Sequence, residues 1–271
     1  MNKRKSLKEL NLLDKFLFDE AMDDPENVKT MLDIILSQNT NLKHPPQTEK
    51  EQRTSTDNRQ IRLDVYAIDE DDVIYEVEAQ KENTHNLPKR SRLYQGIIDS
   101  KLLPPGVVDF NLLNEVLIVL IMPFDLFGYG LYRYTFQMKC EEVPELKLDD
   151  GATRIFLNTR GKHPELVSPE LIELLKYMEH STDEISEACE SKRIQEMHRR
   201  VCQIKASEKA EVKYMQTWEE KILIKQEGER IGLERINRLN QKLIEQGRFD
   251  DLTKATSDSS YQEKLLKEFK I

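Results

Sequence analysis

Two stretches of alternating apolar residues, Arg62–Ile68 and Val73–Gln80, carry the side chains best suited to chemistry. Asp64 lies in the first stretch, and Glu78 and Gln80 lie in the second. If the two stretches are neighbouring strands of a hairpin, these side chains can share one face. Two carboxylates and a polar side chain on adjacent strands can bind a divalent metal ion and support cleavage of phosphodiester bonds.

The alternation of polar and apolar residues in these strands has two interpretations. Side chains on a strand point to opposite faces in turn, so Glu76, Glu78 and Gln80 share a face and Asp64 shares one with Tyr66. These acids could simply be solvated positions of a two-faced hairpin. A buried sheet would instead leave few solvated places for them, and close carboxylates repel one another unless a cation neutralises them. A hard cation with oxygen ligands, such as Mg²⁺, is the expected occupant.

A shared site requires a particular hairpin register. If Ile68 faces Val73, Asp64 falls opposite Val77 and not Glu78. Asp64 and Glu78 meet only across an odd-length turn or a bulge. The sequence therefore predicts one of these two features around Asp69–Val73.

The surrounding pattern predicts an α/β core. Helical spacing covers Leu7–Met22, Glu26–Ser37 after Pro25, and about Lys89–Leu103. Asn39–Asn58 is predicted to be a loop with at most one short strand, around Pro46–Arg53. Glu115–Met122 is a continuous aliphatic run, typical of a central strand covered on both faces. Further strands are expected at Leu131–Cys140 and Thr153–Asn158.

After Ser168 the strand patterns disappear and the chain becomes charged and helical. A long helix or a pair of helices is predicted over about Thr182–Leu243, and Gly247 should precede a small helical hairpin at Arg248–Ile271. We expect three segments: a core domain at residues 1–165, a charged helical extension at 166–245, and a small helical segment at 246–271.

Composition limits the functional classes. The net charge is −9 and 34% of residues are charged. No stretch approaches the roughly 18 apolar residues of a membrane helix, and no secretory signal is present, so a cytoplasmic location and no membrane partner are expected. The three cysteines lack a C-x-x-C pair, which argues against a disulfide framework or a zinc site. Acidity disfavours DNA binding, although Lys81–Arg92 is locally basic.

Five segments of the chain resemble the recombination-promoting nuclease (Rpn) or transposase-like family, within the PD-(D/E)XK nuclease superfamily. They are Leu13–Met22, Ile61–Val65, Tyr75–Lys81, Leu87–Gln95 and Phe124–Gly130. The resemblance covers nearly the whole chain. Leu63 stands where the superfamily has proline, and Gln80 stands where it usually has lysine, although the glutamine is typical of the narrower family.

The resemblance implies a restriction-endonuclease-like fold: a central mixed sheet flanked by helices, with a C-terminal helical extension. It also implies catalytic roles for Asp64, Glu78 and Gln80, with Mg²⁺ or another divalent cation bound by Asp64, Glu78 and the Ala79 carbonyl. Gln80 would orient the attacking water. Glu20 is an additional candidate acid, with the alternative that it is an ordinary solvated helix residue.

DNA contacts are expected at the strand end and on the following helix. The candidates are Lys81, Lys89, Arg90, Arg92, Tyr94 and Gln95. A cation on that helix can bind phosphate, although each residue could equally belong to a solvated amphipathic face. The helical tail is a candidate surface for self-association.

Two functions remain open from the sequence. One is a metal-dependent DNA endonuclease associated with recombination or mobile elements. The other is a nuclease-fold module with weak or no catalysis, acting as a DNA- or protein-binding factor through its helical tail. Asp64, Glu78 and Gln80 favour the first, whereas net acidity and the absent lysine favour the second.

Overall fold

The computed structural model describes residues 4–52 and 61–271, and within them it contains one mixed β-sheet. Its strands are β1 (Gln47–Gln52), β2 (Ile61–Ile68), β3 (Ile74–Ala79), β4 (Val116–Met122), β5 (Arg133–Phe136) and β6 (Ala152–Asn158). Their spatial order is β1-β2-β3-β4-β6-β5. Strands β3, β4 and β6 run parallel, whereas β1, β2 and β5 pair with their neighbours in antiparallel fashion.

Helices flank the sheet and form the C-terminal part of the chain. They are α1 (Lys15–Met22), α2 (Pro25–Leu36), α3 (Leu87–Asp99), α4 (Pro169–Glu179), α5 (Asp183–Ala188), α6 (Lys192–Ala206), α7 (Glu208–Glu245), α8 (Phe249–Ser257) and α9 (Ser259–Glu268). Short 3-10 helices occupy Leu7–Glu9, Phe110–Leu112 and Pro164–Leu166. The α/β class with a mixed sheet and a helical C-terminal part is therefore observed.

The first predicted helix, Leu7–Met22, is wrong as a single element. Asn11 and Asp14 divide it, because their side chains bond to nearby backbone N–H groups in place of helical hydrogen bonds. The Asp14 carboxylate accepts from the Asn11 N–H at 3.0 Å, and the Asn11 amide oxygen accepts from the Leu13 N–H at 3.1 Å. Lys15 consequently lies at the start of α1.

The predicted strand before the hairpin is present as β1, and residues 53–60 of the predicted loop lie outside the described part of the chain. Helix α2 begins as predicted at Pro25, where Asp24 accepts a hydrogen bond from the Glu26 N–H at 2.9 Å. The predicted strand Leu131–Cys140 is shorter than expected, since only Arg133–Phe136 pairs as a strand.

The hairpin of β2 and β3 has the predicted odd-length turn. Ile68 faces Ile74 and Tyr66 faces Glu76, which leaves a five-residue connection at 69–73. Asp69 organises this turn by accepting the N–H groups of Asp71 and Val73 at 3.0 and 2.9 Å. Continuing this register places Asp64 opposite Glu78, on the same face of the sheet.

That face packs against α3. Leu87, Tyr94 and Ile97 of α3 belong to a buried cluster with Ile118 and Leu120 of β4. The central strand β4 is buried along nearly its whole length, as its aliphatic sequence predicts. The acids of β3 therefore lie beside an apolar core, where charge is costly to desolvate.

Chain contacts divide the protein into two compact units, Met1–Glu211 and Val212–Ile271. This division does not coincide with the boundaries expected at residues 165 and 245. Between Thr182 and Leu243 the structure has three helices and not one or two, because Thr182 and Ser191 cap α5 and α6. No helix of the described residues has the length and apolar composition needed to span a membrane.

The second unit is helical. Leu239 and Leu243 of α7 form a small apolar cluster with Ala255 of α8 and Leu265 of α9. Gly247 has a φ of 67° and ends the long helix, as its position predicts.

Candidate functional site

The hairpin brings Asp64 and Glu78 together and buries both. Their side chains project from β2 and β3 at facing positions, and they are only 6% and 8% exposed. Glu76, two residues before Glu78 on the same strand face, is 0% exposed. Three carboxyl groups are thus concentrated in one desolvated region, where two negative charges would raise each other's energy.

Lys15 supplies a cation to Asp64 from α1. Its ammonium Nζ lies 2.5 Å from Asp64 Oδ1, 3.1 Å from Asp19 Oδ2 and 3.8 Å from Glu49 Oε1. Burial acts to lower the pKa of Lys15, but the carboxylates of Asp64 and Asp19 outweigh it and raise that pKa above its ordinary value. Lys15 is therefore a permanent cation here and not a proton acceptor.

Arg90 supplies the second cation, from the first turns of α3. Its Nη2 donates to Glu78 Oε1 and to Gln80 Oε1, both at 2.5 Å. The amide nitrogen of Gln80 donates to the Glu82 carbonyl at 2.6 Å. These bonds fix the orientation of the Gln80 amide, with its oxygen directed to Arg90.

Burial changes the proton affinity of the carboxyl groups. It raises the pKa of Glu78 to about 7, with Arg90 opposing the shift and Asp64 adding to it. It also raises the pKa of Asp19 to about 7, against the lowering effect of Lys15. Both pKa values are thus shifted toward neutral pH, as is common for carboxyl groups at functional sites.

Glu76 has no hydrogen bond to compensate for its burial, and the charge of Arg90 offsets that burial only in part. Within residues 4–52 and 61–271, neither of its carboxyl oxygens has a hydrogen-bond partner, and Oε2 of Glu78 also has none. Burial, followed by the charges of Glu78 and Asp64, raises the pKa of Glu76 well above its ordinary value and favours the uncharged form. Burying a carboxyl oxygen without a hydrogen-bond partner costs free energy of folding. Such an oxygen is therefore a candidate for binding a ligand or for a functional role.

These oxygens fit the donor preference of a hard divalent cation such as Mg²⁺. Asp64 and Glu78 can supply ligands, and Ala79, whose carbonyl was predicted as a third, is the buried last residue of β3. Each predicted carboxylate ligand is, however, already bonded to a cationic side chain of the protein. The second oxygen of Glu78, Oε2, has no hydrogen-bond partner, so a metal ion binding here would share these carboxylates with Lys15 and Arg90.

The predicted DNA-binding residues differ in their surroundings. Lys89 and Arg92 are exposed, whereas Lys81 pairs with Asp14 at 2.5 Å and Arg90 is bonded to the site itself. Tyr94 is buried beneath Arg90, whose guanidinium carbon lies 5.8 Å from the ring centre. The buried Gln95 amide donates to an aspartate of its own helix, Asp99, at 2.9 Å.

A cavity of about 370 Å³ opens beside Arg90. Arg62, Lys89, Arg90 and Tyr94 line it together with Ile61, Asn86 and Leu93. Three of these residues are cationic and none is acidic, although Arg62 is paired with Glu49 at 3.4 Å and Arg90 with Glu78 at 2.5 Å. The cavity is therefore suited to an anionic group such as phosphate.

Sequence reasoning missed Lys15 and Asp19 and assigned no role to Glu76. Glu20, the predicted extra acid, is half-buried in α1, but its neighbour Asp19 is the acid that bonds to Lys15. The spacing of four residues between Lys15 and Asp19 was the available signal. Nothing local in the sequence indicated the contact between Lys15 and Asp64.

A second group of potential metal ligands lies on the helices. Asp183, His198 and Cys202 each place one donor atom within 4.8 Å of the other two. Among the described residues this is the one group of three or more histidine, cysteine or acidic side chains close enough to hold a metal ion. The structure therefore contains a possible metal-binding triad that the sequence did not predict.

Comparison of the chain with protein-family models, with curated proteins and with solved structures gave no match in any of the three. The resemblance to PD-(D/E)XK nucleases therefore stays a prediction from sequence motifs.

Proposed function

We propose that this protein is a metal-dependent DNA endonuclease of the PD-(D/E)XK type, acting in recombination or on mobile elements. One observation carries the proposal: Asp64 and Glu78 face each other on neighbouring strands, buried, beside carboxyl oxygens that have no partner. Metal-dependent hydrolysis of a phosphodiester bond uses such a concentration of oxygen ligands to hold a hard cation.

The proposed chemistry divides between the cation and the protein. A divalent cation held by Asp64, Glu78 and the Ala79 carbonyl would supply an activated water and offset the charge that develops on the phosphate. Gln80 orients the water through its amide, because an amide is not a base near neutral pH. Arg90 holds the Gln80 oxygen at 2.5 Å and so determines which way this amide points.

Lys15 is the natural substitute for the lysine that the superfamily has at the position of Gln80. It reaches the same cluster from a helix, with its ammonium 2.5 Å from Asp64. The raised pKa of Lys15 keeps it charged. Its role is then electrostatic: it stabilises negative charge on Asp64 before binding and on the phosphate during the reaction.

DNA binding is proposed to be local. Lys89 and Arg92 are exposed on α3, and the adjoining cavity is lined by Arg62, Lys89 and Arg90. These residues provide positive charge beside the proposed catalytic carboxylates, although the net charge of the chain is −9. Phosphate contacts of this kind position the duplex and carry no sequence preference by themselves.

A second candidate is a nuclease-fold factor that binds DNA or protein with little or no catalysis. The ion pairs of Lys15 with Asp64 and of Arg90 with Glu78 favour it, because they neutralise the carboxylates without a metal. In that case the buried charges serve stability, and the helical tail, also a candidate for self-association, carries the binding.

Cleavage of supercoiled plasmid in Mg²⁺ tests the proposal. Glu78→Gln retains an oxygen acceptor for Arg90 but removes the charge needed to bind a cation. We expect it to reduce the cleavage rate on the order of 100-fold or more. Glu82→Gln is the matched control, since the Glu82 side chain is exposed and only its backbone carbonyl bonds to Gln80.

The outcomes separate the two candidates. Loss of cleavage in Glu78→Gln, with normal cleavage in Glu82→Gln, supports the endonuclease. Equal cleavage by wild type and Glu78→Gln means that a contaminant or another site is responsible and rejects the assignment. Absence of cleavage by the wild type in Mg²⁺ or Mn²⁺, with DNA binding intact, favours the binding factor.

A further inference from the structure

Three donor atoms of different chemistry converge where α5 and α6 meet. His198 and Cys202 are four residues apart on α6, so they lie on one face of that helix. Asp183, the first residue of α5, reaches the same point. His198 Nε2 lies 2.8 Å from Asp183 Oδ1 and 3.4 Å from Cys202 Sγ, and Cys202 Sγ lies 3.8 Å from Asp183 Oδ1.

These separations are close to those around a tetrahedral metal ion. With Zn–S near 2.3 Å and Zn–N or Zn–O near 2.0–2.1 Å, tetrahedral angles place sulfur about 3.5–3.6 Å from a nitrogen or oxygen donor, and nitrogen about 3.3 Å from oxygen. The two distances to sulfur, 3.4 and 3.8 Å, lie within about 0.3 Å of that separation. The distance from nitrogen to oxygen is that of a direct hydrogen bond and would open by about 0.5 Å around an ion.

The same three residue types can form a nucleophilic relay, but the geometry opposes it here. In a relay the histidine lies between the thiol and the acid and uses one ring nitrogen for each. Here Asp183 and Cys202 both approach Nε2, and Cys202 Sγ is farther from Nδ1, at 3.9 Å. When the carboxylate and the thiol both lie beside the same ring nitrogen, the three donor atoms can surround one metal ion.

The other ring nitrogen of His198 has a partner that favours this role. Nδ1 lies 3.0 Å from the hydroxyl of Tyr177, which is itself fully buried. If Nδ1–H donates to that hydroxyl oxygen, Nε2 presents its lone pair to the cluster. Metal-binding histidines are usually held in this way by a second hydrogen bond, which fixes the tautomer and the ring orientation.

The cluster is accessible from solvent. A cavity of about 360 Å³ is lined by all three donor residues and by Lys8 and Lys205. The ammonium of Lys205 donates to the Ser181 carbonyl at 2.8 Å, which restrains this positive charge. An ion bound by three protein ligands would leave its fourth position toward the cavity, for water or a small anion.

We propose that Asp183, His198 and Cys202 form a binding site for a borderline-soft divalent transition-metal ion, with Zn²⁺ as the expected occupant. Nitrogen and sulfur donors select such an ion over Mg²⁺. The site is independent of the carboxylates on β2 and β3, and the proposal stands whether or not the protein cleaves DNA.

Cobalt is the probe that tests it, added to the full-length, reduced and metal-free protein. We expect one thiolate-bound Co²⁺ per chain, with a thiolate-to-cobalt charge-transfer absorption that Zn²⁺ abolishes on displacement. Cys202→Ser should remove the absorption, and His198→Gln should weaken Co²⁺ binding at least about 100-fold. Tyr177→Phe, which touches no ion, should weaken it about 10-fold.

Cys140→Ser is the matched control, because Cys140 is also partly exposed and also lies 3.2 Å from a carboxylate, that of Glu142. The absorption should persist in Cys140→Ser and in Glu78→Gln. No thiolate-to-cobalt absorption in the wild type, or an absorption that survives Cys202→Ser, would overturn the proposal. Circular dichroism of each variant distinguishes loss of a ligand from loss of the fold.

Discussion

The sheet and the helices each carry a group of potential metal ligands, and the two groups differ in donor type and in burial. The sheet site consists of Asp64, Glu76, Glu78 and Gln80, with Lys15 and Arg90. The helix site consists of Asp183, His198 and Cys202. The first has oxygen donors, and its three carboxyl groups are buried. The second mixes nitrogen, oxygen and sulfur and includes an aspartate side chain that is 84% exposed.

The two sites neutralise their charges differently when no metal is bound. In the sheet site, desolvated negative charges are neutralised by Lys15 and Arg90 and by protonation of Glu76. In the helix site, the donors bond to one another and solvent reaches Asp183. A cation must therefore compete with cations that are hydrogen-bonded to its ligands in the sheet site, whereas the lysines near the helix site, Lys8 and Lys205, line its cavity and are not hydrogen-bonded to the donor atoms.

Removing a counterion should produce the largest effect on stability. Arg90→Met leaves Glu78 buried beside Asp64 without its cation, and breaking a buried pair costs about 3–5 kcal/mol. Adding Glu78→Gln should recover much of the loss, because the uncompensated charge is then removed. Urea unfolding at neutral pH, without metal, measures the free energies.

The matched control for this prediction lies on the helix of the other site. Arg199 is 69% exposed and pairs with Glu196 at 3.1 Å, so Arg199→Met should cost no more than about 1 kcal/mol. Equal losses for Arg90→Met and Arg199→Met would mean that the sheet site is not held by its internal ion pairs.

Metal ions should stabilise the two sites selectively. An ion at 100 times its Kd adds about 2.7 kcal/mol to the free energy of unfolding. Mg²⁺ should raise the melting temperature of the wild type and of Cys202→Ser but not of Glu78→Gln. Zn²⁺ should raise that of Glu78→Gln but not of Cys202→Ser.

Testing both ions on both variants shows whether the two sites bind metal independently. If Glu78→Gln abolishes the response to both ions, the two sites are not independent. If Cys202→Ser abolishes the response to Mg²⁺, the assignment of hard and soft donors to the two sites is reversed.

The metal-free protein should become less stable as pH rises, because the buried carboxyl groups of the sheet site then lose their protons. A carboxyl whose pKa is higher in the folded state contributes stability that is complete below its ordinary pKa and is lost as pH rises through the folded value. For Glu78 this window extends from 4.5 to about 7, which corresponds to about 3 kcal/mol. Glu76 extends the loss to higher pH.

Glu76→Gln removes one of these titrations without changing the shape of the side chain. We expect its stability to decline less between acid and alkaline pH, by at least about 1 kcal/mol. Thermal unfolding in chelator across this pH range measures the decline, with Glu82→Gln as the exposed control. Parallel curves for wild type and Glu76→Gln would show that Glu76 does not titrate in this range.

Much of the sheet site follows from local sequence patterns. Alternation in β2 and β3 indicates which side chains share a face, and the requirement that Asp64 meet Glu78 predicts the odd-length turn at 69–73. The continuous aliphatic run of β4 indicates a sheet covered on both faces, and hence the burial of the acids. These features depend on residues close together in sequence.

The missed features depend on contacts between distant segments. Lys15 meets Asp64 across 49 positions of the chain, and no spacing rule connects a residue of α1 with one of β2. The helix site was missed because a search for paired cysteines does not detect one cysteine combined with histidine and aspartate. Only the spacing of His198 and Cys202 was visible in the sequence, and such a pair commonly has no role in metal binding.

The smallest expected effect is a change in the salt dependence of DNA binding when exposed cations near either site are removed. Each phosphate neutralised on duplex DNA contributes about −0.9 to the slope of log affinity against log salt. Lys89 and Arg92 are exposed beside the sheet site, whereas Arg90 is already bonded to Glu78 and Gln80. Lys89→Gln with Arg92→Gln should therefore flatten the slope by about two units and weaken all sequences similarly.

Arg199 and Arg200 provide the comparison on α6, where they pair with Glu196 and Asp24. Arg199→Gln with Arg200→Gln removes the same charge but should change the slope by less than one unit. Anisotropy of a labelled duplex over a series of salt concentrations measures both slopes. If the two substitutions on α6 abolish binding and the two on α3 have no effect, DNA is bound by the helices and not beside the sheet site. That outcome would favour the binding factor over the endonuclease.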